Sequence, residues 1–158
     1  MAGQMTPNEA VDGQGLCIGI VRSRFNEAVV DRMESACRAR LAERGVQDNK
    51  IVVSSVPGAL EIPVALQAMA VTGRFDALIA LGAVIRGETY HFEVVANESC
   101  RGVMDVMLDT GVPIANGILT VENDAQAEVR IEKARDCADC AVEMARMLEG
   151  IATHGASQ

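Results

Sequence analysis

The residues best suited to chemistry in this chain gather at four turns, each following an apolar run. The chain has two histidines. His91 comes directly after such a run, in Arg86-Gly87-Glu88-Thr89-Tyr90-His91-Phe92, where a helix is expected to begin. An imidazole at a helix start can exchange protons near neutral pH. The plainer alternative is a histidine that only hydrogen-bonds nearby backbone. His154 stands in the tail THGASQ, which is expected to fray and to carry no chemistry. The turn ahead of His91 offers an anion cradle, since amides freed at a helix start, with the Thr89 hydroxyl, suit a phosphate on a small molecule. The Gly-x-Gly-x-x-Gly dinucleotide pattern and the Lys-Ser/Thr of a P-loop are both missing there. An ordinary tight turn with a threonine cap would read the same way.

Glu61 ends the turn Pro57-Gly58-Ala59-Leu60. It could accept hydrogen bonds from a polyhydroxylated ligand or cap the helix beginning near Pro63. Phe25 lies among polar neighbours after the first apolar run, as a core plug or as a flat surface for a ring to stack on. Lys50 and Lys133 are the only lysines, and neither falls at a strand end. An imine, if the chemistry needs one, would therefore form between substrates and not on the enzyme. Cys137 and Cys140 form a lone Cys-x-x-Cys in a helical pattern, without the further ligands a zinc site wants. They read as buried thiols, and no metal or cofactor is expected.

These turns must be held by a chain of 158 residues, 49% hydrophobic and 23% charged, which is enough for one packed domain. The formal net charge of −8 would repel a phosphate backbone, so nucleic acid is a poor partner. The longest apolar run, residues 77–85, is too short to cross a bilayer, and the first fifteen residues lack a signal peptide's basic start and apolar centre. With five cysteines, an odd number, reading as reduced thiols, the expected location is the cytoplasm.

Four apolar runs predict strands at 16–21, 51–56, 76–85 and 114–121. Helical patterns follow each, at 27–44, from Pro63 to about 73, at 90–109, and at 122–151 with a break near 133–134. The strands are apolar throughout, which predicts a parallel sheet covered on both faces: a three-layer α/β/α sandwich with a four-stranded sheet, flavodoxin-like. Ligands bind such sheets beyond the carboxyl ends of the strands, where all four turns fall. Residues 1–14 read as a polar segment that could pair with a neighbouring subunit, and 15–158 as a single domain.

Several stretches also spell a known family. Phe25-Asn26, PGALEIP (57–63), GAVIRGETYHF (82–92), Asn97-Glu98, NGILTVEN (116–123) and Gln126-Ala127 occur in order. From about residue 16 to 148 the chain resembles 6,7-dimethyl-8-ribityllumazine synthases, the penultimate enzymes of riboflavin biosynthesis. The resemblance implies a cofactor-free transferase that condenses 5-amino-6-(D-ribitylamino)uracil with 3,4-dihydroxy-2-butanone 4-phosphate, releasing phosphate and water. It implies that Phe25 stacks on the pyrimidine and that Ala59, Leu60 and Glu61 hold the ribityl chain. Ala83, Val84 and Ile85 would meet the pyrimidine's polar edge through backbone groups. Glu88 and Thr89 would bind the butanone phosphate, His91 would move protons, and Arg130 would reach the phosphate from the neighbouring subunit.

Asn116 stands where many members carry an aromatic residue, and would make that wall of the pyrimidine pocket polar or leave it to backbone. Where members carry a Lys-Gly this chain has Ile131-Glu132-Lys133-Ala134, with Ala134 in place of the glycine, and the resemblance leaves open whether Lys133 is the family lysine. The resemblance further implies a homo-oligomer built from pentamers with sites at subunit interfaces. It leaves open free rings, paired rings or a hollow shell of about sixty chains. Riboflavin synthase is a candidate partner. The alternative reading is a lumazine- or flavin-binding carrier, or a shell-forming protein, of the same fold without turnover.

Overall fold

Four strands lie side by side and parallel: β1 (Ile18–Ser23), β2 (Ile51–Val56), β3 (Ala77–Ile85) and β4 (Ile114–Val121), in the order β2-β1-β3-β4. The computed structural model describes residues 3 and 5–156; the start of the polar leader, residues 1, 2 and 4, lies outside them, as do 157 and 158. Side chains alternate across the sheet, so each strand feeds two cores. Ile18, Ile20, Ile79, Leu81 and Leu119 face helices α1 (Glu27–Glu43) and α5 (Lys133–Ala156). Val21, Leu78, Ala80, Ile114 and Ile118 face α2 (Ile62–Ala70) and α3 (His91–Thr110). The expected three-layer sandwich with a four-stranded parallel sheet is the observed fold. Each of the fully buried aliphatic side chains contributes about 1.5–3 kcal/mol to it.

Helix α1 buries Val30, Met33, Cys37 and Leu41, one stripe at three- and four-residue steps. Gly45 stops it in the left-handed region (φ 93°), while the amides of Gly45 and Val46 donate to the carbonyls of Ala42 and Leu41. On the other face α2 meets α3 closely: a Cβ on Gly102 would come within 2.6 Å of Pro63 Cγ, so only glycine fits that crossing.

The first strand starts two residues later than its apolar run and continues into Arg22 and Ser23. Leu16 is buried before the strand, and Cys17 exchanges hydrogen bonds with Asp76. Arg22 can sit in a buried strand because Asp31 and Glu34 of α1 neutralise its guanidinium. The expectation of strands buried on both faces holds for β1 and β3 but not for β2, an edge strand with Val52 exposed. The last helical pattern divides into α4 (Asp124–Glu128) and α5, with the break at 129–132, just ahead of the expected place. Helix α5 continues to Ala156, so His154 lies in a helix and not in a frayed tail. Residues 8–14 of the leader dock on their own chain. The Gly13 amide donates to the Arg44 carbonyl (2.8 Å), Arg44 meets Glu9 and Asp139, and Arg146 donates to the carbonyls of Asp12 and Gln14.

Cys37 and Cys137 are buried, on α1 and α5, and Cys140 is half-buried. Burial pushes the Cys137 thiol up to about 12 and raises Cys37 and Cys140 as well. Among the described residues no group of three or more His, Cys, Asp or Glu could hold a metal ion, and no helix is long and apolar enough to cross a membrane. Because the thiolate is the reactive form, brief alkylation of the native protein near about pH 8 should leave Cys37 and Cys137 unmodified by mass spectrometry. Labelling of either in folded protein would contradict this packing.

Candidate active site

The chain runs from β1 outward to β2 and then crosses back to β3 on the other side of β1. This reversal opens a crevice at the carboxyl ends of β1 and β3, where open α/β sheets bind ligands. A cavity of 410 Å³ lies there, within the range of small-molecule sites. The loop after β1 supplies Phe25 and Asn26, and the turn after β2 supplies Gly58, Ala59, Leu60 and Glu61. Ala83, Val84 and Ile85 come from the end of β3; Gly87, Thr89, His91, Phe92 and Val95 come from the following turn and the start of α3. Nine residues singled out from the sequence thus meet in one place: Phe25, Ala59, Leu60, Glu61, Ala83, Val84, Ile85, Thr89 and His91.

The structure decides between alternatives that the residues alone left open. Phe25 is 72% exposed, which excludes the core plug and leaves an aromatic face over the cavity. Its amide donates to the Pro57 carbonyl (3.2 Å), and that of Arg24 to Val56, stitching the loop to the end of β2. Glu61 makes no capping hydrogen bond to α2. It turns back over the Pro-Gly turn, where a Cβ on Gly58 would come 3.2 Å from Glu61 Oε1. Its carboxylate is thus directed to the cavity and exposed. Thr89 Oγ1 accepts from the His91 amide at 3.4 Å, so the threonine cap exists, but a long one. Among the described residues the amides of Gly87, Glu88 and Thr89 have no protein acceptor and remain available to an anion.

Arg86 holds this turn in place. Its amide donates to the Val121 carbonyl (2.9 Å), its Nε to Glu122 (2.7 Å), and its guanidinium pairs with Glu93 of α3 while lying 4.3 Å from the Phe92 ring centre. The hydrogen bonds it donates to Glu93 and Glu122 raise the Arg86 pKa, and Arg86 in turn holds Glu93 below the usual carboxylate range. The arginine beside the anion turn is therefore already neutralised, and no Lys or Arg lines the cavity.

Three expected site residues stand elsewhere in the single chain. Glu88 is exposed in the turn without lining the cavity. Asn116 lies mid-strand on β4, opposite Ala80 and well short of the strand end. Its Oδ1 accepts from the Ile118 amide (2.9 Å). Arg130 follows α4 and lines a second cavity, of 790 Å³, with Lys133, Arg135 and residues 118–121 of β4. Its guanidinium donates to the Gln126 carbonyl (2.9 Å). Asn123 caps α4 by accepting from the Gln126 amide, and Gln126 accepts from the Glu122 amide, which explains the Glu-Asn-x-x-Gln spacing as a helix start. Of the lining residues not singled out beforehand, Phe92 had a signal in its aromatic character at a helix start. Asn26 had its place beside Phe25 in the first family stretch and just ahead of a helical pattern, with nothing to mark it as a site residue.

A doubly wound parallel sheet whose switch-point crevice joins an aromatic face, a carboxylate, free amides and an imidazole is the frame of an enzyme acting on small, ring-bearing and anionic molecules. The family model described as 6,7-dimethyl-8-ribityllumazine synthase matches residues 15–149. Proteins of that name from Cupriavidus metallidurans, Ralstonia nicotianae and an Azoarcus species are 59%, 56% and 57% identical to this chain. The matches span 92%, 92% and 88% of it and 89%, 91% and 90% of those proteins. The chain belongs to the 6,7-dimethyl-8-ribityllumazine synthase family.

Proposed function

We propose that this protein condenses 5-amino-6-(D-ribitylamino)uracil with 3,4-dihydroxy-2-butanone 4-phosphate to give 6,7-dimethyl-8-ribityllumazine, inorganic phosphate and water, in riboflavin biosynthesis. The observation that carries the reading is the gathering of Phe25, Glu61, Thr89 and His91 around one crevice in a chain of this family. Joining the primary amine of the pyrimidine to the ketone expels one water and leaves an imine. Removal of the proton from the hydroxyl-bearing carbon beside the imine expels phosphate from the terminal carbon, and the enol left behind tautomerises to a methyl ketone. Attack of the ribityl-bearing nitrogen on this new carbonyl closes the ring and expels a second water. Each step moves a proton between carbon, nitrogen and oxygen, the work of an imidazole at the cavity wall. The imine forms between the two substrates, in keeping with a cavity that lysine does not line.

In this reading Phe25 stacks on the pyrimidine, and the backbone of Ala83, Val84 and Ile85 meets its polar edge. Ala59, Leu60 and Glu61 receive the ribityl chain, Glu61 accepting from its hydroxyls. The turn amides at Glu88 and Thr89 and the Thr89 hydroxyl take the phosphate, and His91 moves the protons. A phosphate with only neutral donors around it lacks a counter-charge. That supports Arg130 of a neighbouring copy, with Lys133 beside it, as the missing cation, and a ring-based homo-oligomer built from pentamers as the active form. Asn116 would then also face a neighbour's site, and riboflavin synthase, in the cytoplasm, would take the product. Supplying both substrates and following lumazine fluorescence tests the reading; failure to form product would refute it.

The role of Phe25 has its own test. Base–aromatic stacking contributes about 1–3 kcal/mol, so Phe25→Ala should raise KM for the pyrimidine about tenfold or more. KM for the butanone phosphate and the melting temperature should barely change, because the ring is exposed. Unaltered pyrimidine KM would remove Phe25 from the site.

A further inference from the structure

Asn26 is the single non-glycine residue with left-handed backbone among the described residues (φ 59°, ψ 48°). That conformation is unfavourable for L-residues, asparagine tolerating it better than most, and it persists where the surroundings enforce it. Asn26 also occupies the N-cap of α1, where an asparagine side chain ordinarily accepts from the helix's first free amides. It makes no such bond. Its Nδ2 instead donates to the Ala83 carbonyl at 2.8 Å, across the crevice on the end of β3. A residue type suited to capping is thus held in a strained backbone and used for another purpose.

What the bond holds is the floor and one side of the cavity. The loop bearing Phe25 is stitched to β2 through the amides of Arg24 and Phe25. Asn26 supplies the tie on the opposite side, to the strand whose end offers Ala83, Val84 and Ile85. Phe25 itself is too exposed for packing to fix its ring. We propose that Asn26 is a positioning residue: by bridging to the Ala83 carbonyl it sets the spacing between the Phe25 ring and the β3 edge that a flat pyrimidine must fill. The proposal rests on the reading of this cavity as the pyrimidine site. Asn26 acts through Phe25 and the strand backbone, and it withdraws one lone pair of the Ala83 carbonyl from the ligand, so that Val84 and Ile85 carry more of the polar-edge recognition.

Two variants separate positioning from folding. Asn26→Gly relieves the left-handed strain and keeps an acceptable N-cap residue while deleting the tie. Asn26→Asp keeps the size and favours the helix start, but opposes a carboxylate oxygen to the Ala83 carbonyl. Asn26→Gly should melt near the wild-type temperature and Asn26→Asp no higher than it, because of the carboxylate–carbonyl repulsion, yet both should raise KM for 5-amino-6-(D-ribitylamino)uracil roughly tenfold. KM for the butanone phosphate should stay near the wild-type value, and kcat should fall less than the pyrimidine KM rises. With wild type active, a pyrimidine KM within about twofold of wild type in both variants would overturn the proposal. So would a rise in both KM values alongside a lowered melting temperature, the mark of a merely structural role. A wild-type protein that forms no lumazine would instead overturn the functional reading beneath it.

Discussion

His91→Ala should slow lumazine formation by about 10²–10⁴-fold at saturating substrates while leaving pyrimidine binding nearly intact. The magnitude is that of a lost general acid–base. It is bounded at the low end because two substrates held in contact react partly unaided. The fold should survive, since His91 is exposed at the first position of α3 and contributes no buried contact. The helix is held elsewhere, near its start by Arg86 on Glu93 and at its middle by the close approach of Pro63 to Gly102. A low kcat with unchanged pyrimidine affinity and melting temperature would therefore report on proton transfer. Wild-type turnover by the variant would take the catalytic role away from His91.

Arg130→Ala should cost about 10–100-fold in kcat/KM for the butanone phosphate, the range for losing a charge-assisted hydrogen bond to a phosphate. The more informative experiment mixes it with His91→Ala under conditions that exchange subunits. In a ring, each site would take its histidine from one copy and its arginine from the next. Random assembly of equal amounts then gives about a quarter of sites with both residues intact, and about that fraction of wild-type activity. Such recovery from two impaired proteins requires shared sites. Absence of recovery despite demonstrated exchange would mean that Arg130 serves its own chain, although it lines a different cavity there.

Much of the fold was legible because local signals agreed. The β-branched run at β2 and the apolar run at β4, each bounded by turn residues, coincide with their strands, and the stripe Val30, Met33, Cys37, Leu41 with its closing Gly45 marks α1. Misreadings arose where tertiary partners override composition. Arg22 looks like the end of a strand until Asp31 and Glu34 are seen to neutralise it from α1. Val52 looks buried until β2 proves to be an edge.

The site shows the same division. Parallel strands bring their carboxyl ends together whatever the loops contain, so His91, Thr89, Glu61 and Phe25 could be gathered by topology. Sequence could not say whether Phe25 is buried or whether Glu61 spends its carboxylate on a cap, since both depend on where a side chain turns. Nor could it show that Asn26 forgoes its cap for a carbonyl 57 positions away. Arg130 was reached only through likeness to a family. Within one chain its surroundings, a carbonyl of the preceding turn and a neighbouring lysine, do not connect it to the crevice.

The central claim is that this crevice makes a lumazine from two substrates. Its most direct test incubates the purified full chain with 5-amino-6-(D-ribitylamino)uracil and 3,4-dihydroxy-2-butanone 4-phosphate, following lumazine fluorescence and inorganic phosphate together. The expected result is enzyme-dependent formation of both in equal amounts over many turnovers, with neither appearing when either substrate is left out. A protein that binds added lumazine but yields neither product nor phosphate above the uncatalysed rate would be a carrier, and would contradict the account.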